Sequence, residues 1–251
     1  MQTPYASETF KETRRRLEQL VGVRACGLLH GPNDVGKTLL VQHFLSSLPD
    51  KRYKPFVLSH SSVTVTDLLR LLCTELGHNP RMRRSDNILL IRQGWQQLER
   101  LWPVLVLDEA QNLSATALEE VRLLTCDRRD TQPPFSLLLV GDQQLLPRLR
   151  MGINAPLLAR LSFCLQLQPW SGQELTGYIQ ARLQEAGMHT NPFDAAALQL
   201  LVQAGNGLPG LLNYLAQRAL EEAAAQNCRT ATAAHVHRAL ELLPWVAQIA
   251  K

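Results

Sequence analysis

The chain has 251 residues, of which 45% are hydrophobic and 19% charged; that is long enough for one α/β domain with a smaller companion and too apolar for a disordered chain. No run approaches the ~18 uninterrupted apolar residues a spanning helix needs, which argues against a membrane-spanning role. The net charge of +4 is uneven: residues 1–100 hold 15 Lys/Arg against 9 Asp/Glu, residues 101–160 hold 6 against 7, and residues 161–251 hold 5 against 6.

The N-terminal MQTPYASETFKETRRR has no apolar h-region, so the mature chain is expected to begin near Met1 and to be cytoplasmic. Ser7 is placed to cap a helix through ETFKETRRRLEQLV, where Phe10, Leu17, Leu20 and Val21 recur near helical period. ACGLLHG then reads as a strand ending in a Gly-rich loop, and TLLVQHFLSSL as the helix that leaves it. KPFVLSH is a second strand, TDLLRLLCTEL a helix with Thr66 as its cap, GHNPRMRRS a basic turn, and DNILLIRQGWQQLERLW a helix capped by Ser85.

PVLVLDEAQ is a third strand, apolar at nearly every position as a central parallel strand must be. SATALEEVRLLTC is a helix capped by Ser114, FSLLLVGD a fourth strand, and SFCLQLQPW an alternating fifth. Strands alternating with helices predict an α/β fold with a parallel sheet. After Trp170 the strands stop, and four helical patterns follow: SGQELTGYIQARLQEAG, DAAALQLLVQAG, LPGLLNYLAQRALEEAAAQN and TAAHVHRALELLPW. The five cysteines are scattered without a CxxC pair and read as buried small hydrophobes. His235 and His237 lack a third nearby ligand and read as helix-surface residues.

Two segments carry chemistry. GPNDVGKT (Gly31, Pro32, Asn33, Asp34, Val35, Gly36, Lys37, Thr38) matches G-x-x-x-x-G-K-[ST] between a strand and a helix that continues with Leu39. Its backbone N–H groups and the helix N-terminus suit phosphate oxygens. Lys37 suits the β- and γ-phosphates of ATP, and the Thr38 hydroxyl suits Mg²⁺. In VLVLDEAQ a buried strand delivers Asp108 and Glu109 at its C-terminal end, the edge where such sheets bind ligands. Asp108 is a candidate Mg²⁺ partner and Glu109 a candidate to polarise the attacking water.

GPNDVGKT, LVLDEAQNLS, LLLVGD and the helical part that follows together resemble an AAA+ ATPase, specifically the ExeA-like group that includes the transposition ATPases TniB and TnsC. The resemblance runs from about Tyr5 to Leu243, and LDEAQNLSATALEEVRLLT is its most specific segment. It implies a P-loop αβα sandwich over residues 1–169, N-terminal helix included, and an all-helical lid over residues 170–251. It also implies a homo-oligomer, whether ring, spiral or filament, with ATP at subunit interfaces. A polar sensor, Asp142 or Gln143, is expected after the fourth strand, and an arginine finger acting on a neighbouring subunit is expected at Arg160. The lid departs from the pattern: relatives read GG-x-P-R, whereas GNGLPGLLN puts Gly210 at the arginine position, so the second sensor is absent or supplied by another residue such as Arg218.

Basic clusters at Arg14, Arg15 and Arg16, at Lys51, Arg52 and Lys54, at Arg81, Arg83 and Arg84, and at Arg128 and Arg129 are candidates for duplex DNA, through phosphates and not base edges. The expected function is an ATP-dependent, DNA-binding regulator or target selector for a transposase or integrase. The rival is an ExeA-like ATPase energising a secretion or envelope machine, and the chain's stopping after the lid favours the DNA reading. A slow nucleotide switch is a third possibility.

Overall fold

The structure is a computed structural model that describes residues 5, 7–59, 64–126, 133–188 and 190–243. Among these residues five parallel strands make one sheet: β1 (Cys26–His30), β2 (Tyr53–Ser59), β3 (Trp102–Asp108), β4 (Ser136–Gly141) and β5 (Leu161–Gln166), in the order β2-β3-β4-β1-β5. The three inner strands are buried along almost their whole length, while the edge strands β2 and β5 alternate between buried and accessible positions. That contrast follows from coverage, since an inner strand meets helices on both faces.

Side-chain alternation divides the core in two. On one face Leu28, Leu105, Leu107, Leu137 and Leu139 pack with α3 (Val65–Glu75), α4 (Arg84–Gln97) and α5 (Ala115–Leu124). On the other, α1 (Glu8–Gly22) packs against β5 and against α2 (Lys37–Ser46), burying Leu17, Leu20, Leu40 and Phe44. In register, His30 of β1 pairs with Gly141 of β4, and Leu107 of β3 pairs with Leu139. The C-terminal ends of β1, β3 and β4 therefore open at one edge of the sheet. The outer strand β2 carries Lys54 and Pro55.

Several local expectations need correction. Helix α3 is capped by Thr64, whose hydroxyl accepts the Asp67 N–H at 3.2 Å, while Thr66 lies inside the helix. Helix α4 begins at Arg84 after Arg83, which makes no side-chain cap bond, so Ser85 is helical and its hydroxyl bonds Asp86. Between β4 and β5 the chain forms α6 (Leu145–Leu149), a 3₁₀ turn (Gly152–Asn154) and α7 (Ala155–Leu158). These pieces are too short to show a helical period. Cys26 and Cys73 are buried, but Cys126 is only partly so, and Cys164 and Cys228 are exposed.

A second compact unit comprises the region from Gln168 onward, the segment before α1, and loop residues 32–36. Its helices are α8 (Gly172–Glu185), α9 (Ala195–Gly205), α10 (Pro209–Ala225) and α11 (Ala233–Glu241). Leu175, Leu201, Leu212, Leu215 and Val236 form its core. Ser171 and Glu174 make a capping box at α8, and Asp194 caps α9. His235 is buried, not on the surface: its Nδ1 accepts the Thr232 N–H at 2.9 Å and ties down the start of α11. Among the described residues no helix is long and apolar enough to cross a membrane.

Candidate active site

The site begins where β1 ends. Gly31 leaves the strand, the chain turns through residues 32–36, and α2 starts at Lys37. Asp34 (φ 61°) and Gly36 (φ 100°) are both left-handed; at Gly36 this conformation is open only to a residue without Cβ. Such a turn curls successive N–H groups toward one side, which is the geometry an anion needs. The Lys37 side chain is buried, and its Nζ donates to the Gly31 carbonyl at 3.0 Å. That bond holds the ammonium at Gly31, the residue that leaves β1.

The strand β3 brings the carboxylates. The Thr38 hydroxyl donates to Asp108 Oδ2 at 3.1 Å, and Asp108 Oδ1 accepts the Glu109 N–H at 2.9 Å. A hydroxyl and a carboxylate oxygen this close are the hard donors that Mg²⁺ takes. Glu109 has φ 54°, a conformation rare for a residue with a Cβ and one that collects at functional turns. It turns the chain into a 3₁₀ segment, Ala110–Asn112.

Gln111, in that segment, is a site residue the sequence motif did not single out. Its Nε2 donates to Glu109 Oε2 at 2.6 Å, and its Oε1 accepts the Asp142 N–H at 3.3 Å. One amide therefore joins the carboxylate that follows β3 to the residue that follows β4. Arg148 of α6 donates to the Gln111 and Leu113 carbonyls and fixes the 3₁₀ segment from the other side. Asp142 Oδ1 accepts the Gln144 N–H at 2.8 Å, closing the turn into α6, and Gln143 is exposed on that turn.

Behind the loop, the His30 ring is buried with Nδ1 lacking a partner among the described residues. Burial first, then the charges of Arg150 and Lys37, push its pKa below the ordinary histidine value.

Arg160 lies elsewhere. It is exposed, directly before β5, whose first residue pairs with Cys26 at the start of β1. Burial pushes the Cys26 thiol up to about 11, and the Arg160 charge acts on it in the opposite sense. The phosphate loop leaves the far end of β1, four residues or about 13 Å away. In the helical unit, Arg218 is engaged by Glu221 at 2.8 Å and stacks over Tyr214.

The basic clusters are not equivalent. Arg14 and Arg15 pair with Glu18 and Glu12 along α1, and Arg16 is exposed. Lys51, Arg52 and Lys54 are exposed at the start of β2, with Arg52 over the Tyr53 ring. Arg84 is bound to the buried carboxylate of Glu120 on α5, whereas Arg81 and Arg83 are exposed without a carboxylate partner among the described residues. Arg128 and Arg129 lie outside the described residues.

A parallel sheet with this strand order, a phosphate loop after β1 and an Asp-Glu pair ending β3 define a P-loop nucleoside triphosphatase. A family model described as an AAA domain matches residues 21–149, over half of the chain, and the chain belongs to that family. It is similar to the General secretion pathway protein A of Aeromonas hydrophila, with 33% identity over 205 residues that cover 79% of this chain and 37% of that protein. It is also similar to the Mu-like prophage FluMu DNA transposition protein B of Haemophilus influenzae, with 25% identity over 205 residues covering 80% of this chain and 67% of that protein. The chain thus spans little more than a third of the first relative and two thirds of the second. Both agree with the ExeA-like and TniB resemblance.

Among solved structures, Cdc6p of Pyrobaculum aerophilum matches with a TM-score of 0.76 and 16% identity, covering 92% of this chain and 66% of that one. The Orc1 protein of Aeropyrum pernix in complex with DNA matches at 0.68 and 18%, covering 93% and 65%. The Thermotoga maritima RuvB branch migration motor matches at 0.61 and 20%, covering 95% and 70%. At these identities the likeness is one of fold.

Proposed function

We propose that the chain is an ATP-hydrolysing AAA+ module that assembles as a homo-oligomer on duplex DNA when ATP is bound and regulates a transposase or integrase. The observation that carries the hydrolytic part is the Thr38–Asp108–Glu109–Gln111 array. Lys37 and the loop N–H groups hold the phosphate charge. Mg²⁺ arriving with ATP would be held by Thr38 and Asp108 and would neutralise charge on the β- and γ-phosphates. Glu109 accepts a proton from the attacking water while Gln111 fixes the direction in which its carboxylate points. Asp142 or Gln143 serves as the sensor after β4. Arg160, set at the opposite end of β1, cannot serve its own loop and acts on the nucleotide of a neighbouring copy.

The nucleic-acid part is supported by Arg81 and Arg83, exposed and without a carboxylate partner among the described residues, and by the likeness to a DNA transposition protein. Lys51, Arg52 and Lys54 add positive charge. A second reading, an ATPase energising a secretion machine, is supported by the higher identity to General secretion pathway protein A.

The test is ATP turnover and duplex binding by the same preparation. Glu109→Gln should keep nucleotide affinity and lower hydrolysis by a factor on the order of 10². Duplex binding should require ATP or a non-hydrolysable analogue, and log K should fall against log[salt] with a slope of about −0.9 per phosphate neutralised. Equal DNA affinity with ATP, ADP and no nucleotide overturns ATP-gated assembly. No duplex binding at low salt favours the secretion reading.

A further inference from the structure

After α3 the chain doubles back along that helix before starting α4, and Arg70 of α3 reaches the Met82 sulfur at 3.7 Å. One residue governs this loop. Asn87, fully buried on the first turn of α4, accepts the Arg81 N–H on Oδ1 at 2.6 Å and donates from Nδ2 to the Arg81 carbonyl at 3.0 Å. The Cys73 thiol donates to the Asn87 carbonyl at 3.5 Å. A buried amide spent on the backbone of one surface residue adds no apolar contact to the core; its effect is to fix where residues 81–83 project.

What projects is an apolar side chain between two cations. Met82 is 86% exposed, more than any other large hydrophobic among the described residues. Arg81 and Arg83 flank it with no carboxylate partner there, while Arg84 is turned inward to Glu120. The charge suits neighbouring phosphates. The unbranched thioether suits a narrow apolar slot, and a loop already held in place loses little entropy on binding. One methionine offers too little apolar area to anchor a membrane surface, which needs an extended amphipathic face.

From this arrangement we infer that Met82 is a wedge that enters the minor groove of duplex DNA and opens a base step, while Arg81 and Arg83 hold the phosphates on either side. The inference rests on the duplex DNA reading above, and gives it a preference for steps that unstack easily.

The experiment uses the full chain with a non-hydrolysable ATP analogue and duplexes carrying 2-aminopurine at a central TA step or within an A-tract. Wild type should raise the 2-aminopurine fluorescence at the TA step and bind that duplex more tightly than the A-tract. Met82→Ala should bind nucleotide normally and keep the wild-type salt slope. It should also lose the fluorescence rise and weaken binding to the TA duplex about tenfold. Arg81→Glu with Arg83→Glu should weaken binding to both duplexes and flatten the salt slope. If Met82→Ala binds both duplexes as wild type does with an undiminished fluorescence rise, the wedge is wrong and the DNA reading stands. Absence of duplex binding by wild type removes the DNA reading itself. Met82-dependent binding to phosphatidylserine vesicles without duplex binding overturns the inference in favour of a lipid surface.

Discussion

The N–H of Gly210, at the start of α10, donates to the carbonyl of Asp34 in the phosphate loop at 3.0 Å, and a Cβ at position 210 would lie 2.8 Å from the Asp34 Cβ. Where the family resemblance implies an arginine, the chain here packs directly against Asp34. Gly210→Arg therefore should not restore a sensor. It should push the loop out of its left-handed turn and weaken binding of a fluorescent ATP analogue on the order of tenfold, equivalent to about 1.4 kcal/mol. Unchanged or tighter binding would show that the loop tolerates displacement and that the contact is incidental.

Gln111→Ala leaves Glu109 without the amide that directs it. Hydrolysis should fall on the order of tenfold while KM for ATP stays within about twofold, because the lost interaction bears on the water and not on the phosphates. A rise in KM with kcat retained would assign Gln111 to nucleotide binding instead.

Much of this site was legible in the sequence, and the part that was not shares a cause. The inner strands could be read because burial on both faces demands unbroken apolar runs, and the phosphate loop because its glycines and lysine are tied to positions along the chain. The bridge Gln111 makes from Glu109 to Asp142 was invisible, since it depends on how β3 and β4 end side by side. The Arg84–Glu120 pair joins residues 36 positions apart, so Arg84 looked like one more member of a basic cluster. Helix α3 started two residues early because Thr64 and Thr66 are equivalent in composition and differ only in backbone geometry.

Arg84→Ala should lower the melting temperature, since it strips a buried carboxylate of its partner; with Arg84 about half exposed, the cost should be about 1–2 kcal/mol. Replacing Glu120 by Leu in the same chain should recover much of it. Arg81→Ala and Arg83→Ala should leave thermal stability within about 0.5 kcal/mol of wild type. A loss at those positions as large as at Arg84 would show that Arg81 and Arg83 also hold the fold together.

Arg160→Ala should abolish hydrolysis in assembled protein while leaving nucleotide affinity intact. Mixed with Lys37→Ala protein, it should regain activity, because each partner supplies what the other lacks. If mixed oligomers form and remain inactive, the finger does not act across an interface.

His30 adds a pH dependence with a definite sign. Its folded pKa lies below the unfolded value, so its neutral form contributes stability in full above about pH 6.5, and that contribution is lost as pH falls through the folded pKa. Melting temperatures between pH 8 and pH 5 should decline on the acid side in wild type and decline less in His30→Leu. Parallel profiles would assign the decline to other groups.

One outer strand of the sheet bears on how copies can meet. Among the described residues strand β2 has a neighbour on one side only, and it carries Pro55, which has no N–H to offer a ladder, beside the charged Lys54. Proline and lysine are what sheet proteins use to discourage a foreign strand from adding to an open border. In the proposed assembly, strand addition at the β2 border is therefore disfavoured, and contact on that side should run through side-chain surfaces that nucleotide can make or break.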